Sequence, residues 1–174
     1  MSGIYYDLKK IKAFAFDVDG VLSPSVIPMS PEGEPLRMAN IKDGYALQLA
    51  VKLGYKIAII TGGNTIAVKN RYEALGIKDI YQKASHKIGI FRDWMKANSL
   101  QPEEVIYMGD DIPDLKCMRE AGLPCAPRDA AWEARESAIY VSKYDGGYGC
   151  VRDVVEQVLK ANGQWLSDAH AFGW

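Results

Sequence analysis

Ala13-Phe14-Ala15-Phe16-Asp17-Val18-Asp19-Gly20-Val21-Leu22 is the stretch from which the fold is read. An apolar run feeds two carboxylates spaced two apart, and a glycine follows. The pattern predicts a buried strand that ends by pushing acidic groups out of its carboxyl edge, where open α/β sheets carry their chemistry. Taken alone, Asp-x-Asp-Gly is also ordinary turn punctuation. A calcium loop starting at Asp17 fails on position, because it needs an oxygen ligand at its fifth place and a Glu at its twelfth, where Val21 and Pro28 stand. The acidic pair therefore needs partners from elsewhere in the chain.

Outward from residues 11–18, further strands are predicted at 56–60 (Lys-Ile-Ala-Ile-Ile), 79–81, 105–108, 123–126 and 138–141. Between them lie helical patterns: 44–53, stopped by Gly54; a helix capped by Asn64 or Thr65 and closed by Gly76; 85–98, with Ile88, Phe91, Trp94 and Met95 inward; one reaching Ala121; and a piece at 131–136. Gly146-Gly147-Tyr148-Gly149 opens a last helix whose Val151, Val154, Val155, Val158 and Leu159 form an apolar stripe ending at Asn162-Gly163. This alternation predicts an α/β fold, a doubly wound, mostly parallel, Rossmann-like sheet with helices on both faces.

Two segments stand outside the alternation. Residues 21–40 hold four prolines and a Ser30-Pro31-Glu32-Gly33 turn, which predicts an irregular arm or small β-hairpin, projecting from about residue 22, rather than a large cap. Such an arm is either a plain surface loop or a cover for a site. The tail, residues 164–174, carries Trp165, Phe172 and Trp174, and aromatics on a terminus predict docking on the same domain or on a neighbouring subunit.

Length and composition bound the function. The 174 residues suit one domain, 1–174, and 48% hydrophobic with 25% charged residues is ordinary for a soluble globular protein. With 21 basic against 22 acidic residues, the chain has no global attraction to nucleic acid or to an anionic membrane, so any anion site is built locally. Cys117, Cys125 and Cys150 are scattered and odd in number, which indicates neither a disulfide framework nor a zinc site and fits a reducing cytoplasm. No apolar run reaches the roughly 18 residues of a spanning helix. His86 and His170 lack a metal-like spacing.

The chemistry lies in what the sheet gathers. The strand at 56–60 runs into Thr61-Gly62, and that at 105–108 into Gly109-Asp110-Asp111-Ile112-Pro113-Asp114. In a parallel sheet Asp17, Asp19, Thr61, Asp110 and Asp111 face one crevice, with Lys87 reaching in from a helix start. Two acidic clusters repel unless a cation lies between them, and hard carboxylate oxygens describe Mg²⁺. Cation, hydroxyl, lysine and helix N-termini then make a pocket for a phosphate dianion. One carboxylate attacks phosphorus, and a second, two residues on, serves as acid and then as base. A receiver-type signalling domain uses similar parts, but there the phosphorylated Asp lies mid-chain and precedes the hydroxyl and the lysine.

Phe16-Asp17-Val18-Asp19-Gly20-Val21, Ile60-Thr61-Gly62, Lys87 and Gly109-Asp110-Asp111-Ile112-Pro113-Asp114 resemble the four motifs of the haloacid dehalogenase superfamily of phosphatases, in the same order. The resemblance implies Asp17 as nucleophile and Asp19 as general acid/base. It implies Thr61, Gly62 and Lys87 around the phosphoryl group, and Mg²⁺ on Asp17, the backbone carbonyl of Asp19, and Asp110, with Asp111 and Asp114 supporting. Val21-Leu22-Ser23, Asn40-Ile41-Lys42-Asp43-Gly44-Tyr45, Arg71, Leu75-Gly76-Ile77 and the glycines before the last helix are similar to one capless branch, which hydrolyses 3-deoxy-D-manno-octulosonate (KDO) 8-phosphate.

That branch implies sugar-acid contacts at Asp19, Asn40, Ile41, Lys42, Asp43, Gly44, Arg71 and Lys87, and a homotetramer in which a neighbour covers the site. Several relatives have arginine where this chain has Gln48, Gly63 and Tyr148, so the cationic surround is thinner or differently built. The nine-carbon homologue, 2-keto-3-deoxynononate 9-phosphate, stays open as a substrate.

Overall fold

The computed structural model describes residues 3–167 and 169–173; Trp174, the last aromatic of the tail, lies outside them. Six parallel strands form one sheet in the order β3-β2-β1-β4-β5-β6: β1 (Ala13–Phe16), β2 (Lys56–Ile60), β3 (Asp79–Tyr81), β4 (Val105–Met108), β5 (Leu123–Ala126) and β6 (Tyr140–Val141). Strands β2 to β5 coincide with their predicted bounds. β1 is shorter than the predicted 11–18 because the chain turns at once: Ser23 N–H and Val21 N–H both donate to the Val18 carbonyl. β6 likewise begins at Tyr140 rather than at 138.

Burial on both faces explains the strand composition. Phe14, Phe16, Ile57, Ile59, Ile106 and Met108 point into one core, and Ala13, Ala15, Ala58, Ile60, Val105 and Tyr107 into the other. The first core is closed by α1 (Ile41–Lys52), α2 (Ile66–Glu73) and α6 (Cys150–Ala161), the second by α3 (Lys87–Ala97), α4 (Leu115–Glu120) and α5 (Trp132–Ser137). The alanines of β1 and β2 leave room for Phe91 and Trp94 of α3, whose indole N–H donates to Asp79 Oδ2 at 3.0 Å. Helices on both faces of a parallel sheet are the predicted architecture, with no large cap.

Helix starts follow their caps. Thr65 opens α2, with its Oγ1 accepting from Val68 N. α1 begins at Ile41, three residues before the predicted Gly44, because Asn40 is its cap: Oδ1 accepts from Lys42 N at 2.9 Å and Asp43 N at 3.2 Å. Asn40 Nδ2 donates to the Gly147 carbonyl at 3.1 Å, so the same side chain ties α1 to the loop before α6.

The arm is a hairpin reduced to one bridge, Met29 to Pro35, around the Ser30 turn. Its prolines withhold the donors that a longer ladder needs. The tail docks on its own chain, with Trp165 edge-on to Tyr45 at 5.8 Å and the Arg152 guanidinium 5.2 Å from the Trp165 ring. Phe172 stays 78% exposed.

Asn40→Ala removes both the cap and the tie to Gly147. The variant is expected to lose about 1–2 kcal/mol of stability in urea denaturation, with an unchanged dependence on denaturant concentration.

Candidate active site

β1 lies at the sheet's topological switch point, because the chain passes from it to β2 on one side and reaches β4 on the other. Phe16 pairs with Met108, so the residues that leave these two strands, Asp17 and the Gly109-Asp110 loop, emerge side by side. Gly20, at φ +85°, brings the β1 loop against Asp110: a Cβ there would lie 1.9 Å from Asp110 Oδ2. Only glycine both adopts that backbone and permits that approach.

Lys87 sits at the centre. Its Nζ lies 2.9 Å from Asp17 Oδ1 and 2.8 Å from Asp114 Oδ1, and all three residues are buried. The Tyr107 hydroxyl donates to Asp114 Oδ1 at 2.8 Å, and Asp110 N–H donates to Asp114 Oδ2 at 3.2 Å. Asp114 therefore has both oxygens engaged and acts as the holder of Lys87 and of the Asp110 loop. Asp111 is exposed and accepts from Ile112 N at 2.8 Å, as cap of the 3₁₀ turn Ile112–Asp114. Of the two supporting acids, Asp114 is built into the site and Asp111 stands at its rim.

One carboxylate oxygen each from Asp17, Asp110 and Asp114 lie within 4.8 Å of one another. Burial, and then the charge of Asp114, raise the Asp17 pKa to about 7 against the pull of Lys87. Burial, and then Asp17, push Asp110 up to about 8. Burial acts against the charge on Lys87, but its two carboxylate partners outweigh it and the pKa is raised. Three carboxylates against one ammonium leave negative charge that a proton or a cation must offset. Hard oxygens on Asp17 and Asp110, with Asp114 already committed, fit Mg²⁺.

Thr61 follows β2 directly on the same edge, buried, with its Oγ1 accepting from Gly63 N at 3.1 Å. Gly62 stands exposed beside it, and a Cβ there would meet nothing within 4 Å. Asp19 is turned toward the arm, where Arg37 grips it through two bonds, Nε to Oδ1 at 2.7 Å and Nη2 to Oδ2 at 2.9 Å. Arg37 was not among the residues singled out by sequence. Its signal was there, since it is the sole basic residue of segment 21–40. Its guanidinium lies over Gly63, so the cation here comes from the arm.

A cavity of about 460 Å³ adjoins the site, running from Val18 between the arm (34–39) and the start of α2 (64–68) to Arg71 and Tyr72. The Arg71 Nε and Nη2 are buried and unpartnered among the described residues. Of the sugar contacts implied by resemblance, Arg71 lines this cavity, whereas residues 40–44 do not. Asn40 caps α1, and Asp43 Oδ1 accepts from Arg152 N at 2.8 Å, at the start of α6. Lys42 lines a separate groove of about 1100 Å³ with Tyr144, Tyr148 and Arg152, and Ile41 is 67% exposed. Gly44 faces Arg71, with a Cβ there falling 2.4 Å from Nη2.

The haloacid dehalogenase-like hydrolase family model matches residues 44–127. The 3-deoxy-D-manno-octulosonate 8-phosphate phosphatase KdsC of Escherichia coli K12 is 38% identical over 156 residues, 90% of this chain and 83% of that protein. The crystal structure of the phosphatase of that name from Yersinia pestis matches with TM-score 0.87 at 35% identity, over 91% of this chain and 85% of that one. The Moraxella catarrhalis phosphatase, crystallised with a magnesium ion, a phosphate ion and KDO, matches with TM-score 0.86 at 36% identity over 91% of both chains.

The raised carboxyl pKa values set a pH dependence. Asp17 and Asp110 keep their protons in the folded protein above the pH at which the unfolded chain releases them, so the folded state binds more protons. Stability of the metal-free protein is therefore expected to fall as pH rises from near 4 to about 8 and then to level. Mg²⁺ competes with those protons, so the rise in Tm that it gives is expected to be larger at about pH 8 than at about pH 5, measured by calorimetry after EDTA treatment.

Proposed function

The chain belongs to the haloacid dehalogenase-like hydrolases, and on that premise we propose that it is the phosphatase that hydrolyses 3-deoxy-D-manno-octulosonate 8-phosphate to the free sugar acid and phosphate. We read residues 1–174 as one catalytic domain. The observation that carries the reading is the Asp17, Asp110 and Asp114 cluster around Lys87, beside a cavity lined by Val18 and by Arg71, whose Nε and Nη2 are buried and unpartnered among the described residues. A phosphate site next to a cationic chamber suits an ester whose leaving group is itself an acid.

In this reading Asp17 is the nucleophile, aimed by Lys87 on Oδ1 and by a backbone bond from Val18. Its carboxylate attacks phosphorus as the bond to the sugar oxygen breaks, and Asp19 gives a proton to the departing alkoxide. Asp19, now ionised, takes a proton from water as the water attacks phosphorus; phosphate leaves and the Asp17 carboxylate is regenerated. Lys87 and Thr61 receive the phosphoryl oxygens. Asp17, the Asp19 carbonyl and Asp110 would hold Mg²⁺, which would supply positive charge to those oxygens and favour the ionised Asp17 carboxylate. Arg71 meets the sugar acid in the cavity. Asn40, Ile41, Lys42, Asp43 and Gly44 lie outside the cavity lining; Gly44 serves the substrate by seating Arg71, and Asn40 and Asp43 by joining α1 to α6, while Ile41 and Lys42 carry sugar contacts by the resemblance alone.

A homotetramer is the assembly we infer. Val26, Met29 and Ile66 are 89%, 71% and 69% exposed around the arm and the start of α2, an apolar rim that a neighbouring copy would cover. The three buried free cysteines suit a reducing cytoplasm, and no helix among the described residues is long and apolar enough to cross a membrane.

Phosphate release is expected from the eight-carbon ester in preference to the nine-carbon homologue, and only with Mg²⁺. Asp17→Asn is expected to lower it by more than about a thousandfold and Asp19→Asn by about 10²–10⁴-fold. Preference for the nine-carbon ester would keep the mechanism and change the substrate; release from neither would overturn the substrate. Sedimentation equilibrium at the mass of four chains is the expected outcome for the assembly.

A further inference from the structure

Arg37 is more constrained than its place on a surface arm requires. Its side chain is 11% exposed, against 44% for its partner Asp19. The limb of the arm that carries it is tied on both sides: Leu36 N–H donates to the Pro28 carbonyl at 2.8 Å, and Met38 N–H donates to Ser23 Oγ at 3.0 Å. Beneath it, a Cβ on Gly63 would lie 2.5 Å from Nη2 and 2.9 Å from Cζ, so the guanidinium rests on a floor that only a glycine leaves open. Arg37 also lines the cavity that holds Arg71, with the exposed Glu34 as that wall's acid.

We propose that Arg37 is a specificity-determining residue that exchanges its Asp19 partner for the carboxylate of the substrate's leaving group. The proposal rests on the phosphatase reading above. The guanidinium fork is satisfied by a second carboxylate as well as by the first, and poorly by a hydroxyl. While both Asp19 oxygens are held by Arg37, that carboxylate is withheld from the leaving oxygen. An acidic leaving group replaces Asp19 on the fork and so frees it for proton transfer. A neutral sugar ester must break the Asp19–Arg37 pair with nothing to put in its place. Selection for an acid and release of the Asp19 carboxylate are then one event: one ion pair breaks, another forms, and the freed carboxylate takes up a proton from solvent water, which it passes to the leaving oxygen.

The test compares kcat and KM on KDO 8-phosphate and on glucose 6-phosphate, with Mg²⁺, for wild type, Arg37→Gln, Arg37→Lys and Gly63→Val. Gly63 has no left-handed backbone to defend, and the three atoms nearest a Cβ there all belong to the far end of the Arg37 side chain, so this variant is expected to displace the guanidinium in a folded protein. In Arg37→Gln the preference for the acid ester, as a ratio of kcat/KM values, is expected to fall about 10- to 100-fold, mainly through KM on the acid. Arg37→Lys, with charge but no fork, is expected to fall between Arg37→Gln and wild type, and Gly63→Val to lower the ratio as well. A ratio in Arg37→Gln within about twofold of wild type overturns the proposal. So does an equal fall in kcat on both esters, which would make Arg37 a support for Asp19 alone. Wild type with no preference for the acid ester would overturn the substrate reading, and this proposal with it. Preference that survives in Arg37→Gln would remove Arg37 only.

Discussion

Three carboxylates share one ammonium at the carboxyl edge of the sheet, and much of the local structure exists to make that bearable. Asp17 and Asp114 are pulled onto Lys87 at 2.9 and 2.8 Å, while Asp110 faces them without a lysine of its own. In water such like charges would drift apart. Here β1 and β4 are locked in register at Phe16 and Met108, and Gly20 lets one loop touch the other. The backbone forces the crowding, and a divalent cation or a proton then becomes part of the folded state rather than an addition to it.

The two faces of the sheet divide the work that follows. The face with Phe91, Trp94 and Tyr107 is densely aromatic, and it anchors α3 so that Lys87, the first residue of that helix, arrives at a fixed point. A helix N-terminus does not favour a lysine. Lys87 is held there by two carboxylates and by packing, and its helix lacks a side-chain cap at His86. The other face carries α1 and α6, joined by Asn40 and Asp43, and behind them the tail with Trp165 on Tyr45. The arm and the cavity stand at the edge of that face.

β2, β4 and β5 were legible because burial on both faces writes apolar runs, whereas β3, a half-buried Asp-Ile-Tyr at the sheet edge, was legible mainly from its place in the alternation. The acidic cluster was legible because parallel strands oblige their ends to converge. What sequence alone left unresolved depends on side-chain direction. Asn40 and Asp43 enter as sugar contacts implied by resemblance, and the letters do not show that the Oδ1 of one also sits on two backbone amides and that the carboxylate of the other also meets the start of α6. Asp111 and Asp114 are indistinguishable as letters, yet the turn between them sends one to solvent and one to Lys87. Arg37 was hidden for another reason: its partner is 18 residues away across an arm with no periodicity, and only the path of the chain brings the two together.

Arg37 and Gly63 also illustrate how a charge is positioned. A long side chain rooted at residue 63 would itself fill the space over the β2 loop. Here that space is left open by a glycine and filled by a guanidinium rooted on the arm. The charge occupies one place while the chain that supplies it is elsewhere, so a list of basic residues aligned by position undercounts the cations around the site. Its origin has a consequence for control. A cation rooted on the sheet edge would be placed by the strands, whereas this one is placed by an arm whose ties are the Leu36 N–H on the Pro28 carbonyl, the Met38 N–H on Ser23 Oγ and the isolated Met29–Pro35 bridge. Whatever seats the arm therefore sets the grip on Asp19.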